Sequence, residues 1–216
     1  MKSGNCGFVK PLLSWWTRTD KARYYAWRTA RDPYRVLVAE VLLQRTRRDK
    51  VQEVYREFVA RFPTARALAD ASKDQVEEVI APLGLKKRAI YLVQLARSIL
   101  KKRDVVEAGR FEELSGIGPY TASAARIILG INTVLHPDSS IARVLSRYFG
   151  RPLDQHRPAS TAWVAETLRK CAPVDSVEEM RSYFLALLDL AWEICKPRKP
   201  LCKRCPLAGS CSNTTN

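Results

Sequence analysis

No stretch of the 216 residues approaches the roughly eighteen consecutive apolar residues of a membrane-spanning helix, and nothing at the N-terminus reads as a secretory segment. A membrane span and an exported, oxidised protein are therefore not expected, and the reading is cytoplasmic, with the protein associated with the nucleoid. No repeat, low-complexity segment or long linker is present, and no run alternates apolar and polar residues as a half-buried strand would. Acidic residues are also in short supply. They number 22 against 37 Lys and Arg, a formal net charge of +15 with a pI near 9.8. Such an excess suits a polyanionic partner. The basic residues are dispersed over many segments instead of lining one amphipathic face, so nucleic acid fits better than a membrane surface. With 46% hydrophobic residues the chain is able to build one large or two small cores.

What is present begins with the run Leu114-Ser115-Gly116-Ile117-Gly118-Pro119-Tyr120-Thr121-Ala122. Two glycines around one apolar residue allow a tight turn with positive φ, and their bare backbones let N–H groups approach a charged ligand. Pro119 suits the first position of a following helix. A helix start with free N–H groups is an anion site, so Gly116, Gly118 and Thr121 are candidates to hold a nucleic-acid phosphate without reading sequence. An ordinary interhelical turn would look the same in isolation.

Cys195, Cys202, Cys205 and Cys211 fall in the spacing Cys-x6-Cys-x2-Cys-x5-Cys. Four thiolates from one short loop are able to close around a tetrahedral zinc or a [4Fe-4S] cluster. Structural zinc usually arrives through two short Cys-x2-4-Cys knuckles, and this tail has one such pair, which favours the cluster. Disulfides are the remaining alternative, but Cys6 and Cys171 sit in unrelated contexts. Lys196, Arg198, Lys199, Lys203 and Arg204 are interspersed with the four cysteines, either to meet phosphates or to balance thiolate charge.

The periodicity is helical nearly throughout. Asp32-Pro33 reads as an N-cap with proline in the first turn, followed by Val36, Leu37, Val41 and Leu42 at helical spacing. Val51 to Val59, Ala65 to Ala71, Asp74 to Ile80 and Lys86 to Lys101 read as helices. So do Pro119 to Leu129, Ser139 to Phe149, Thr161 to Lys170 and Val177 to Ile194. An all-α protein is the direct reading. Trp15, Trp16, Tyr24, Tyr25 and Trp27 allow a base-stacking reading, but at helical spacing they read rather as residues that pack the N-terminal segment onto the rest of the chain.

Two carboxylates stand out. Asp138, in His136-Pro137-Asp138-Ser139-Ser140, is either a helix N-cap or a carboxylate facing substrate, and the two roles are compatible. Glu40 interrupts a helix that is apolar almost all round, so it should be partly desolvated with a raised pKa, suited to proton donation or a hydrogen bond to a base. A solvent-facing or structural position is its alternative. The histidines, His136 and His156, are too isolated for a role.

The hairpin, the cysteine loop, the segment from Asp32 to Thr46 and the run Leu83-Gly84-Leu85-Lys86-Lys87-Arg88-Ala89 occur in an order that resembles the helix-hairpin-helix base-excision DNA glycosylases. The likeness is to the endonuclease III and adenine glycosylase branch, nearest to the mismatch-specific thymine/uracil glycosylases. It implies a six-helix barrel over residues 32–133. It also implies a cluster domain from 1–31 and 134–216, with a [4Fe-4S] loop at 195–211 and the active cleft between the two domains. Asp138 would then stabilise an oxocarbenium-like sugar and orient the attacking water. Tyr120 occupies the place where lyase-competent relatives carry an imine-forming lysine, which a phenol cannot replace. Gln44, Arg45 and Leu85 match positions that fill the gap left by an extruded base. Glu40 matches the glutamate that protonates the purine in adenine glycosylases, although a pyrimidine lacks that nitrogen.

The resulting expectation is a monomeric, monofunctional DNA N-glycosylase of base excision repair. Its substrate would be thymine or uracil mispaired with guanine in double-stranded DNA, with no membrane partner. Adenine excision opposite guanine or 8-oxoguanine is the nearest alternative, against which stand Tyr120 and the Leu85 loop. A non-catalytic DNA-binding protein would gain nothing from Asp138 and Glu40, and a small electron carrier would not need the hairpin or the charge.

Overall fold

A computed structural model describes residues 6–19, 24–84, 86–131, 134–173 and 176–213, and among these there is no strand. The helices are α1 Val9–Thr17, α2 Pro33–Leu43, α3 Arg48–Arg61, α4 Ala65–Ala69, α5 Lys73–Ile80, α6 Arg88–Lys101, α7 Arg103–Glu107, α8 Pro119–Leu129, α9 Ser139–Phe149, α10 Ala162–Cys171 and α11 Val177–Glu193. None of the described helices is long and apolar enough to cross a membrane.

Their starts follow from side-chain oxygens placed to accept orphan N–H groups. Asp32 accepts from the Tyr34 N–H, with Pro33 next in the first turn. Thr64 and Ser176 cap α4 and α11, and Ser72 forms a reciprocal capping box with Gln75 at the head of α5.

The chain divides into two compact units. One comprises Arg23–Ile131. In it α2 is enclosed by α3, α6 and α8, while α4 and α5 pack on α6. Val36, Leu37, Val38, Ala39, Val41 and Leu42 are all buried, so α2 has no solvent face over those turns. Phe58, Leu68, Ile80, Leu92, Leu95 and Phe111 complete the same core.

The other unit comprises Met1–Ala22 and Asn132–Asn216. There α11 packs against α1 and α9, and the cysteine loop follows α11. The Trp16 indole N–H donates to the fully buried carboxylate of Asp189 at 2.8 Å, which pins α1 to α11.

Two expectations are corrected here. Residues 24–31 were expected with the N-terminal segment in the cluster domain, but they pack with the other unit. Tyr25 and Trp27 stack at 4.8 Å between ring centroids and join the core around α2, while Gln52 on α3 donates to the Tyr24 carbonyl. Of the five aromatic residues grouped by sequence, Trp16 therefore serves one unit and Tyr25 and Trp27 the other, and Tyr24 is exposed. The second correction concerns Cys6 and Cys171, which form a disulfide across 165 residues of sequence, with Cα atoms 5.4 Å apart. It joins the turn ahead of α1 to the end of α10, two places with no common sequence context.

A cross-link closing so long a loop restricts the unfolded chain strongly. Cys171→Ser should lower the unfolding free energy by about 2–4 kcal/mol in urea titrations. Reduction of the wild type should do the same and expose two further alkylatable thiols by mass. Equal stability with and without reductant would remove the disulfide from the account.

Candidate functional site

The hairpin shows how the sequence builds an exposed backbone surface. Leu114 and Ile117 are buried and anchor the turn, and the Ile117 N–H returns to the Leu114 carbonyl at 3.2 Å. Between and after them, Ser115, Gly116, Gly118 and Pro119 are exposed. The Ser115 N–H donates to Ser98 Oγ at 3.2 Å, tying the turn to α6.

The two glycines differ in kind. Gly116 has φ +77°, a left-handed conformation that disfavours any side chain. Gly118 is the N-cap of α8 at φ −90° and ψ 173°, which any residue adopts, and a Cβ there would meet nothing within 4 Å. The fold itself gives no reason for glycine at 118. A partner that must approach the backbone closely does.

Tyr120 is half-buried in the first turn of α8. Thr121 beside it is buried, so it offers a ligand its backbone position and not its hydroxyl.

Since α8 packs on α2, the helix that carries Tyr120 lies beside the one that carries Glu40. Glu40 is buried, 7% exposed, on the otherwise apolar α2. The solvent-facing alternative for Glu40 is thereby removed. At the far end of α2, Gln44 and Arg45 are exposed, and Arg45 has the positive φ of +54°.

A residue that sequence reasoning missed holds this end. Arg88, 9% exposed at the start of α6, donates to the carbonyls of Val41 at 3.2 Å, Leu42 at 3.0 Å and Gln44, and to Thr46 Oγ1 at 3.2 Å. A signal was available. A cation in the first turn of its own helix opposes that helix's dipole, so it needs an acceptor elsewhere. Leu85 lies outside the described residues.

In the other unit, Asp138 is the N-cap of α9 and accepts from the Ile141 N–H at 2.7 Å. Burial raises its pKa above the ordinary carboxylate value, opposed by hydrogen bonds from Ile141 and Ser140 and by the charge of Arg143. A carboxylate that is partly stripped of water yet held by several donors is fixed in orientation and responsive to a nearby cation.

Further along α9, Arg143 donates to the carbonyls of Ala191 and Cys195, both at 3.0 Å. Arg147, four residues on, donates to those of Lys196 at 2.7 Å and Pro197 at 2.9 Å and approaches Cys195 Sγ at 3.5 Å. The same helix thus carries Asp138 at its head and grips the cysteine loop along its side.

Cys195, Cys202, Cys205 and Cys211 are all half-buried, and none of them forms a disulfide. Burial raises the Cys205 pKa, and the charges of Cys195, Cys211 and Cys202 all act on it in the same direction. Among the described residues no group of three or more His, Cys, Asp or Glu side chains is arranged to hold a metal ion. Lys196, Arg198, Lys199, Lys203 and Arg204 are exposed on the outside of this loop.

Over residues 38–173 the chain matches the family described as HhH-GPD superfamily base excision DNA repair protein. It is similar to the thymine-DNA glycosylase of Aeropyrum pernix, at 36% identity over 98% of this chain and 96% of that protein. The thymine/uracil-DNA glycosylase of Pyrobaculum aerophilum is 31% identical over 90% of this chain and 86% of its own length. Among solved structures, a thermostable thymine-DNA glycosylase superposes with a TM-score of 0.80 at 31% identity, covering 97% of this chain and 95% of that one.

The two glycines are separable by experiment. Gly116→Ala should cost about 1–2 kcal/mol of stability because of its left-handed backbone. Gly118→Ala should leave the Tm unchanged or slightly raised, yet weaken duplex DNA binding by roughly tenfold in fluorescence anisotropy titrations. Undiminished affinity in Gly118→Ala would reduce the hairpin to a connecting turn.

Proposed function

The chain belongs to the HhH-GPD superfamily of base excision DNA repair proteins, and from that premise we propose that it hydrolyses the N-glycosidic bond of thymine or uracil mispaired with guanine in duplex DNA. The observation that carries the reaction is Asp138, a carboxylate oriented by a helix N-terminus and partly desolvated. The base preference is supported by relatives named for thymine and uracil that align over nearly the whole chain.

The chemistry follows from the side chains. As the C1′–N bond breaks, its electron pair leaves with the base and positive charge develops on the sugar. Asp138 stabilises that charge electrostatically and directs a water to C1′, and the product is an abasic site plus free base. Tyr120 has no amine, so no imine with C1′ forms there and the strand stays intact by that route. Glu40, a buried acid on an otherwise apolar helix, is suited to hold a water or to polarise a carbonyl of the extruded base.

The cysteine loop fits a [4Fe-4S] cluster held by Cys195, Cys202, Cys205 and Cys211. What supports this reading is the donor set, four thiols in one short loop at the spacing Cys-x6-Cys-x2-Cys-x5-Cys with none taken up in a disulfide. Bound there, the cluster would supply a rigid cross-link for a loop with little core of its own. The basic side chains outside the loop would then meet the DNA backbone, where the family's repair chemistry takes place.

Incubation with G·T, G·U, A·8-oxoguanine and A·G duplexes should release thymine and uracil and not adenine. Strands should be cut only after alkali, and no adduct should be trapped by borohydride. Release of adenine alone would reverse the assignment, and no release from any duplex would leave a binding protein.

Asp138→Asn should keep the cap and the fold but slow base release by at least about two orders of magnitude. Because folding raises the Asp138 pKa, the native state holds that proton more tightly than the unfolded chain, and stability falls as pH rises through the carboxylate range. The asparagine variant should therefore be more stable than the wild type at neutral pH. That advantage should vanish in acid below the ordinary aspartate value of about 3.9. Unchanged turnover would make Asp138 a cap and nothing more.

The cluster predicts a brown protein with about four irons per chain. Cys202→Ala should lose both iron and folding yield. One zinc per chain and no colour would overturn the assignment.

A further inference from the structure

We propose that Arg88 is a positioning residue for base extrusion: by closing the C-terminus of α2 it sets the turn from which Gln44 enters the duplex. The inference rests on the reading of function above and concerns how the gap left by the base is filled.

Carbonyls at the end of a helix lack intrahelical donors. At the end of α2, Arg88 supplies the Val41, Leu42 and Gln44 carbonyls, and the Thr46 N–H supplies Leu43 at 3.2 Å. Thr46 Oγ1 donates to the Gln44 carbonyl at 3.2 Å and accepts from Arg88 at the same distance. The backbone of Gln44 is thereby held from two sides, while its side chain is exposed.

The turn is not one that the chain adopts unaided, since Arg45 takes a left-handed backbone conformation that non-glycine residues avoid. What holds it there is the fork of donors from Arg88. Of the two exposed side chains, Gln44 suits the inside of a base stack. Its neutral planar amide leaves water at far lower cost than the guanidinium of Arg45.

Arg88 is also the first residue of α6. One buried side chain therefore ties the α2–α3 turn to the start of α6. Lysine cannot substitute, because a single ammonium has no planar fork to reach these oxygens together.

The test is a double-mutant cycle of Arg88→Lys and Gln44→Ala, each protein also characterised by urea unfolding. Single-turnover release of uracil from a G·U duplex gives the rates. Fluorescence of 2-aminopurine beside the mismatch, at saturating protein, reports stack opening whether or not a base is released. Arg88→Lys should slow release and diminish the fluorescence change by about tenfold, but by less than about twofold once Gln44 is already alanine. On a duplex carrying uracil opposite an abasic site, whose stack is already weakened, both single variants should approach the wild type.

Equal cost of Arg88→Lys with and without Gln44, or equal loss on both duplexes, overturns the inference and leaves Arg88 a helix cap. Absence of stack opening by the wild type overturns it as well. A wild type that opens the stack but releases no base fails the proposed function instead, with the cycle still read by fluorescence. If Arg88→Lys does not fold, Thr46→Val removes one of the contacted oxygens without touching the α2 core. It should reproduce the Gln44-dependent loss in milder form, and an unchanged rate and fluorescence signal in Thr46→Val would overturn the inference.

Discussion

A chain made almost entirely of helices meets one constraint repeatedly: every helix start leaves N–H groups, and every helix end leaves carbonyls, that the helix itself cannot satisfy. Water solves this at the surface. In the interior another part of the chain must. In this protein most residues of chemical interest stand at helix ends, with Glu40 inside α2 the exception. Asp138 satisfies the start of α9, Gly118 and Tyr120 stand at the start of α8, Gln44 follows the end of α2, and Cys195 follows the end of α11. A group at a helix end is held by a rigid element yet lies beyond its hydrogen-bonded interior, which combines fixed placement with access to a ligand.

The burial of α2 makes this constraint most severe. With Val36 through Leu42 enclosed, the Val41 and Leu42 carbonyls belong to buried residues, and an unmet buried carbonyl costs about 1–3 kcal/mol. Arg88 removes that cost at the expense of its own desolvation, which lowers its pKa from the usual arginine value. The same enclosure makes Glu40 unusual. An acid in the middle of a buried helix must be stripped of water to be there, a cost that an apolar side chain would not carry.

The helices were legible because their boundaries are written in local chemistry. The observed limits of α8 and α9 coincide with those read from the sequence, since Gly118-Pro119 and Asp138 mark their starts and Gly130 and Gly150 their stops. Asp138 as a cap was legible for the same reason, and the desolvation of Glu40 followed from the apolar run around it. What stayed hidden depends on tertiary proximity. Nothing in the neighbourhoods of Cys6 and Cys171 marks them as partners, because their pairing is fixed only when α1 and α10 are folded. Tyr25 and Trp27 have the composition of any packing aromatic, and which core they join depends on the contact of their loop with α3. Thr121 lay beside the hairpin glycines in sequence, but the helical turn directs its side chain inward.

The device that closes α2 recurs at α11. Arg143 reaches from α9 to the Ala191 and Cys195 carbonyls at the end of α11, as Arg88 reaches from α6 to the end of α2. In both cases burial lowers the arginine pKa, so desolvation works against the charge at each place. Arginine is still the side chain that fits. Its planar fork addresses several carbonyls at once, and its charge remains intact despite the shift because the starting value is so high. A positive charge also meets the negative end of the helix it closes, which offsets part of the cost. The two helix ends secured in this way are followed directly by Gln44 and by the cysteine loop. A strained turn or an irregular loop needs a fixed point of departure, and in each unit an arginine, the buried Arg88 or the half-buried Arg143, supplies one.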